Sequence, residues 1–530
     1  MAINSLNFIF FVIAVCVIYF VAPKKIKWVI LLVANYIFYW LCSNWLIVYM
    51  LATTLSIYLI ALRMGIIDIK TKEKNKQEED REKKKIIKNE AKRKKKWYVF
   101  LAVAINLGIL IALKYCNFLA GNLNSLLKLF KIQQEVPLKQ IILPLGISYY
   151  TLQSISYIVD VYRGKYLPDR HFGKVALFVS FFPQMVEGPI GRYDDLANQL
   201  YEPHSFNYER VKFGTQLMLW GYFKKMVIAD RAALFVNEVF ANYGKYAGIP
   251  TFFAAVLYTL QIYAEFSGCI DIVRGTAQIL GITMAENFKR PFFSKSVQEF
   301  WRRWHITLGT WFKDYVFYPI SFSKFNKNVT SFAKKIFKTS HVATVLPAIF
   351  ALFFVWLGTG IWHGASWKYI CYGLYYYAIM AIGMIFEPLS NKIIKSVRVD
   401  KESFSFKLFQ MTRTFILVVF GMLLFRAKDL QEFGNMFKLI FRRQNLELLS
   451  NGKLFEIGLK HVDFNILIIG VLIMFVVGLL QERGHKLRNE ISKQNIVFRW
   501  LLYYSIIFAI IIFGIYGPGY VASDFIYGQF

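Results

Sequence analysis

The chain has 530 residues, 56% of them hydrophobic and 18% aromatic, with a mean hydropathy of +0.40. An ordinary soluble domain rarely runs that apolar, although the length alone would suggest several such domains. The formal charge of +31 would point to nucleic acid in a soluble protein. Among long apolar runs it points instead to Lys and Arg held in cytoplasmic loops against anionic lipid, so membrane lipid is an expected partner and nucleic acid is not.

Apolar runs lie near 6–22, 28–42, 44–62, 97–118, 141–159, 173–187, 211–236, 250–282, 343–362, 366–386, 409–425, 463–480 and 498–516. Since a span takes about 17–25 residues, roughly ten to twelve are expected to cross the membrane. Backbone polar groups in lipid must pair internally, and the runs are too long for barrel strands, so the fold class is an all-α integral membrane protein. No small-residue cleavage site follows the first run; Pro23-Lys24-Lys25 comes next, which reads as a retained first span.

Residues 70–96 break the pattern, with fourteen Lys/Arg against six Asp/Glu and almost nothing apolar. This stretch reads as a solvated cytoplasmic loop, or as a charged helix against anionic lipid. It divides the chain into N-terminal spans (1–62), a basic loop (63–97) and a membrane core (98–530). The short basic turn at Pro23–Lys27 falls on the same side if two spans separate it from the loop, which places the N-terminus outside. The five cysteines are scattered and read as small buried hydrophobes.

Polar groups at membrane depth are costly and usually functional, and three regions carry them. In Phe181–Tyr193 (FFPQMVEGPIGRY), two prolines and two glycines interrupt an apolar run around Glu187 and Pro189. That pattern fits broken backbone lining a cavity, and it also fits a plain helix end. In Gln261–Asp271 and onward to Asn287 and Phe292, Glu265, Asp271 and Arg274 interrupt another run; Asp271 and Arg274 are spaced to pair.

The third region is Ser296–Tyr315. Ser296 and Glu299 form a capping box that starts a helix. Carried on without a break, that helix sets Trp301, Trp304, His305, Leu308 and Phe312 on one face and Glu299, Arg302, Arg303 and Ile306 on another. This suits an interfacial helix or one lining a polar tunnel. Arg302 and Arg303 suit donor phosphates or lipid headgroups equally.

Of seven histidines, only His305 and His363 sit among dense aromatics, His363 within Trp356–Trp367 (WLGTGIWHGASW) beside Gly360 and Gly364. A metal site is not expected, since no HxxxH or HExxH occurs. A general base fits imidazole better. GxSxG, Walker A and GxGxxG motifs are all missing.

In this order, the stretches 181–193, 261–272, 286–292 (ENFKRPF), 297–320 (VQEFWRRWHITLGTWFKDYVFYPI) and 356–367 resemble the membrane-bound O-acyltransferase family. The alginate- and peptidoglycan-acetylating branch is nearest, and the closing Phe525–Phe530 is similar to it as well. The chain departs from that branch at Glu265, where Asp is usual, and at Cys269, where Tyr is usual.

The resemblance implies a ring of transmembrane helices around a tunnel. It places the catalytic histidine on His363 and a second polar position on His305. It assigns substrate or tunnel contacts to Trp301, Arg302, Arg303, Trp304, Asp314, Trp362, Glu187, Pro189, Glu265 and Asn287. No bound cofactor is implied. The acyl donor, acetyl-CoA or an acyl-carrier thioester, is a substrate. The acceptor is an extracytoplasmic polysaccharide hydroxyl, or one on a partner of the SGNH acetyltransferase type, at a bacterial plasma membrane. D-alanyl transfer to teichoic acid is the alternative within the family; a transporter or a scaffold is the alternative outside it.

Overall fold

The computed structural model describes residues 1–185, 187–442, 445 and 447–516. The closing 525–530 motif lies outside them. Among the described residues the chain is helical, and the one β-type pairing is an isolated antiparallel bridge between Phe288 and Trp304.

Among the described residues, seven helical stretches are long and apolar enough to cross a membrane. An eighth is the bent pair Trp367–Ile385 and Glu387–Ser396, which turns by 57°. The multi-span reading therefore holds with fewer long apolar helices than the expected ten to twelve. One stretch, Lys24–Gln77, accounts for two of the expected runs, 28–42 and 44–62. Others fall short in length: Ile147–Arg163 has 17 residues, Phe172–Ser180 has 9, and the 211–236 run is interrupted by π-helix at Phe223–Ala229.

The chain forms two compact units. The first holds Met1–Thr215 and Val273–Ala285; the second holds Gln216–Ile272 and the chain from Glu286. The boundaries expected at 62 and 97 both fall inside the first unit.

In the first unit the basic stretch takes the helical form of the two that its composition allowed. Ile47–Gln77 and Arg81–Leu110 form a hairpin that turns at Glu78–Asp80, where the Asp80 carboxylate accepts from the Glu82 backbone N–H. The 31 residues of the first helix extend about 46 Å, well beyond a hydrocarbon core of about 30 Å, so its basic end must project from the bilayer. Lys95 bonds Asp68 at 2.8 Å and ties the arms together. With this hairpin inside the cell, a cysteine placed at Lys83 or Lys88 stays unlabelled by an impermeant maleimide in intact cells. Ready labelling would invert the topology.

The same unit contains the broken 181–193 segment. A four-residue helix, Phe182–Met185, is followed by irregular backbone in which Glu187 takes a left-handed φ of 75°. A Cβ on Gly188 would meet the Gln184 Cα at 2.4 Å, so only glycine fits this turn. Glu187 and Pro189 are both buried.

The second unit is built around buried charge. Gly221 and Gly268 bring the Ile249–Ile279 helix against the segment ahead of the π-helix: a Cβ on Gly221 would lie 2.5 Å from the Gly268 carbonyl oxygen. The π-helix then presents two consecutive lysines to that helix. Lys224 bonds Asp271 at 2.7 Å and Ser267 at 2.8 Å; Lys225, fully buried, bonds Glu265 at 2.9 Å and Asp230 at 2.8 Å. Two carboxylates six residues apart do not share a face of a regular helix, and adjacent lysines on widened backbone reach both.

Candidate active site

The helix expected to run from Ser296 through Phe312 is broken at the histidine. Ser296 caps Val297–Arg303 by accepting from the Glu299 N–H at 3.1 Å, and the Glu299 carboxylate reaches back to the Lys295 N–H at 2.9 Å. Glu299 also pairs with Arg303 at 2.7 Å, as their spacing of four predicts. The helix stops at Trp304. His305 adopts φ 48°, and a second helix, Ile306–Phe312, begins.

Left-handed backbone at a non-glycine residue costs about 1–2 kcal/mol and needs support. The support is Asn287, fully buried, whose Oδ1 accepts from the Thr307 N–H at 3.0 Å and the Thr307 hydroxyl at 2.9 Å. The Asn287 carbonyl accepts from the Ile306 N–H, and the neighbouring Lys289 N–H donates to the Arg303 carbonyl. The ENFKRPF segment is thus a splint for the histidine turn. Asn287→Ala strips that splint and leaves buried donors unsatisfied, at a cost of about 1–3 kcal/mol. A fall in melting temperature in detergent and reduced acyl transfer are the expected readouts.

The imidazole of His305 is clamped on several sides. Its Nδ1 lies 3.2 Å from Asn287 Oδ1, its ring meets Phe266 edge-to-face at 4.9 Å, and Trp362 stands 5.8 Å away. His305 lies between helices rather than within a spanning one. Burial alone pulls it down from its ordinary 6.5 to about 3, so it is neutral at physiological pH. The sign follows: the stability of the neutral imidazole is complete above pH 6.5 and declines as pH falls toward 3. Between pH 7.5 and 5 the unaltered protein should lose more thermal stability than His305→Gln. Equal slopes would show that this group does not titrate between the folded and unfolded states.

His363 is the last residue of the His341–His363 helix and is buried. Tyr372 and Phe425 meet its ring edge-on at 5.6 and 5.2 Å, and Trp362 lies 5.2 Å away. The flanking glycines admit the returning helix rather than a ligand: a Cβ on Gly360 would lie 2.4 Å from the Tyr369 carbonyl oxygen, and one on Gly364 would lie 2.4 Å from the Tyr369 ring.

His305 and His363 line one cavity of about 520 Å³. Trp301, Trp304, Trp356 and Thr359 contribute to its wall, and the exposed Arg302 and Lys313 are its cationic contributors. Trp362 lies within 6 Å of both imidazoles and fixes their surroundings without lining the cavity.

The other expected site residues are placed elsewhere. Arg303 is held by Glu299 and by Glu482 at 2.9 Å, so it braces the fold and does not face the cavity. Glu265 belongs to the Lys225 cluster, and Asn287 acts through the turn. Asp314, half-buried in the π-helical Lys313–Phe317, is not on the cavity wall. Glu187 and Pro189 belong to the first unit. Lys313, which the sequence groups with Arg302 and Arg303 as positive charge suited to donor phosphates, is on the cavity wall. Lys225 and Gln298 went unassigned in the sequence. Lys225 lies in a π-helix, whose register no periodic pattern announces.

A family model described as membrane-bound O-acyltransferase matches residues 169–334. A protein of Pseudomonas syringae named probable alginate O-acetylase AlgI is 31% identical over 424 residues, covering 80% of this chain and 72% of that protein. The chain belongs to the membrane-bound O-acyltransferase family. It is therefore an acyltransferase and a multi-pass membrane protein. Two further bacterial relatives are a peptidoglycan O-acetyltransferase of Helicobacter pylori, 27% identical over 64% of this chain and 63% of its own length, and a teichoic acid D-alanyltransferase of Bacillus subtilis, 28% identical over 56% and 72%.

Proposed function

We propose that this acyltransferase moves an acetyl group from a cytoplasmic thioester, acetyl-CoA, to a hydroxyl of an extracytoplasmic polysaccharide, directly or through an SGNH-type partner protein at a bacterial plasma membrane. The observation that carries this reading is the shared cavity of His305 and His363. His363 takes the proton of the attacking hydroxyl as its oxygen bonds to the thioester carbonyl carbon. The C–S bond then breaks, and the departing thiolate takes the proton back from His363. His305, held neutral by burial, orients the carbonyl or steadies the oxyanion by hydrogen bonding rather than by charge.

Arg302 and Lys313 put positive charge at the cavity, suited to the phosphates of coenzyme A. Purified protein should bind acetyl-CoA with an affinity that falls with salt, and Arg302→Gln/Lys313→Gln should flatten that dependence. Binding only to an acylated carrier protein would move the reading to D-alanyl transfer, as the name of the Bacillus relative describes for that protein.

A further inference from the structure

A second cavity, of about 700 Å³, adjoins the first. Gln298 and Met380 belong to the walls of both. Its lining is mixed: Ile379, Ile382, Phe386, Ile394, Phe406 and Leu417 are apolar, and Lys295, Lys401 and Arg413 bring cations. Among the described residues no carboxylate lies within ion-pair distance of these three cations. The Arg413 guanidinium donates to the Lys295 carbonyl at 3.0 Å, and Lys401 donates to Asn391 at 2.8 Å. Glu387 is the one acid on the wall.

The wall of the chamber includes residues on both sides of the 57° bend between Trp367–Ile385 and Glu387–Ser396, Met384 and Glu387 among them. The second of these helices is amphipathic: Leu389 and Ile393 are exposed, and so are Lys392 and Lys395. His341 lies 2.8 Å from the Met384 carbonyl oxygen, which brings the start of the His341–His363 helix to the same end. The Lys324–Phe337 helix leading into it exposes Phe325, Phe332 and Ile336, and residues 321–341 carry five lysines with no acid. A basic, amphipathic edge of this kind lies in the headgroup plane of an anionic leaflet.

We propose that this second chamber binds an anionic phospholipid. Lys295, Lys401 and Arg413 hold its phosphate, and one acyl chain lies along the apolar wall toward Met380. Gly383 lies on the wall and is exposed, and a Cβ there would meet nothing within 4 Å, so a larger side chain can enter the space without displacing packed atoms. The Gln298 and Met380 partition makes occupancy of the chamber part of the wall of the reaction cavity. The proposal does not depend on which acyl group is transferred.

The test uses the full chain in nanodiscs of phosphatidylcholine with increasing phosphatidylglycerol, read by native mass spectrometry for retained lipid. Saturable retention of one phosphatidylglycerol is expected. It should weaken by about tenfold or more for each cation removed in Lys401→Gln/Arg413→Gln. Gly383→Leu, which fills the chamber while leaving the cations, should abolish retention. A third arm adds excess coenzyme A. Retention that withstands coenzyme A and fails in both variants supports the lipid. Displacement by coenzyme A, or retention unchanged in both variants, overturns it.

Discussion

His363→Ala protein is expected to purify and elute like the unaltered chain while transferring acyl groups about 10²–10⁴-fold more slowly, the contribution of a positioned general base. The ring is buried among Trp362, Tyr372 and Phe425, so its removal opens a void, and elution profile and melting temperature are necessary controls. His363→Gln separates chemistry from packing. It keeps polarity and most of the volume yet cannot take a proton near neutral pH, so it should fail as fully as alanine. His305→Gln should keep a measurable rate, because an amide can replace part of the neutral hydrogen-bonding role proposed for His305. Near-normal transfer by well-folded His363→Ala would remove the proposed base and make His305 the next candidate.

The largest expected loss of stability comes from Lys225→Met. Lys225 is fully buried and bridges Glu265 and Asp230, themselves almost wholly buried. Removing the cation takes away the counter-charge that both buried carboxylates share. Breaking a buried pair from one side costs about 3–5 kcal/mol, a large fraction of the stability of a typical domain. The measurable outcome is a sharp fall in monodisperse protein after detergent extraction. Lys225→Arg should retain most of it, and the apolar triple replacement Lys225→Met/Glu265→Leu/Asp230→Leu should recover part, since removing all the charges removes the unpaired burial. A Lys225→Met protein as stable as the unaltered chain would mean that the carboxylates are neutralised in another way.

This cluster shows where reading along the chain ends. Glu265 stood out as a charge in an apolar run, and that alone suggested a substrate contact. Its partner Lys225 lies 40 residues earlier, on backbone widened into a π-helix, and local spacing carries no trace of such a pairing. Arg303 divides the same way: its pairing with Glu299 follows from a spacing of four, whereas its bond to Glu482 depends on a helix far along the chain.

The sequence by itself determined the helical membrane class, the capping box at Ser296, the broken segment at 181–193, the family, and the two histidines worth attention. These follow from composition, from local periodicity and from motifs a few residues long. Only the tertiary structure decided that the Trp301–Phe312 aromatics do not share one helical face, because Asn287 holds His305 in a left-handed turn between two short helices. Only it showed that Gly360 and Gly364 admit Tyr369 and its helix rather than a ligand, and that His305 and His363, 58 positions apart in the chain, share one cavity. Helix capping and hydropathy are set by neighbours within a turn or two. A cavity wall is set by which distant side chains the packed helices bring together, and no local pattern encodes that.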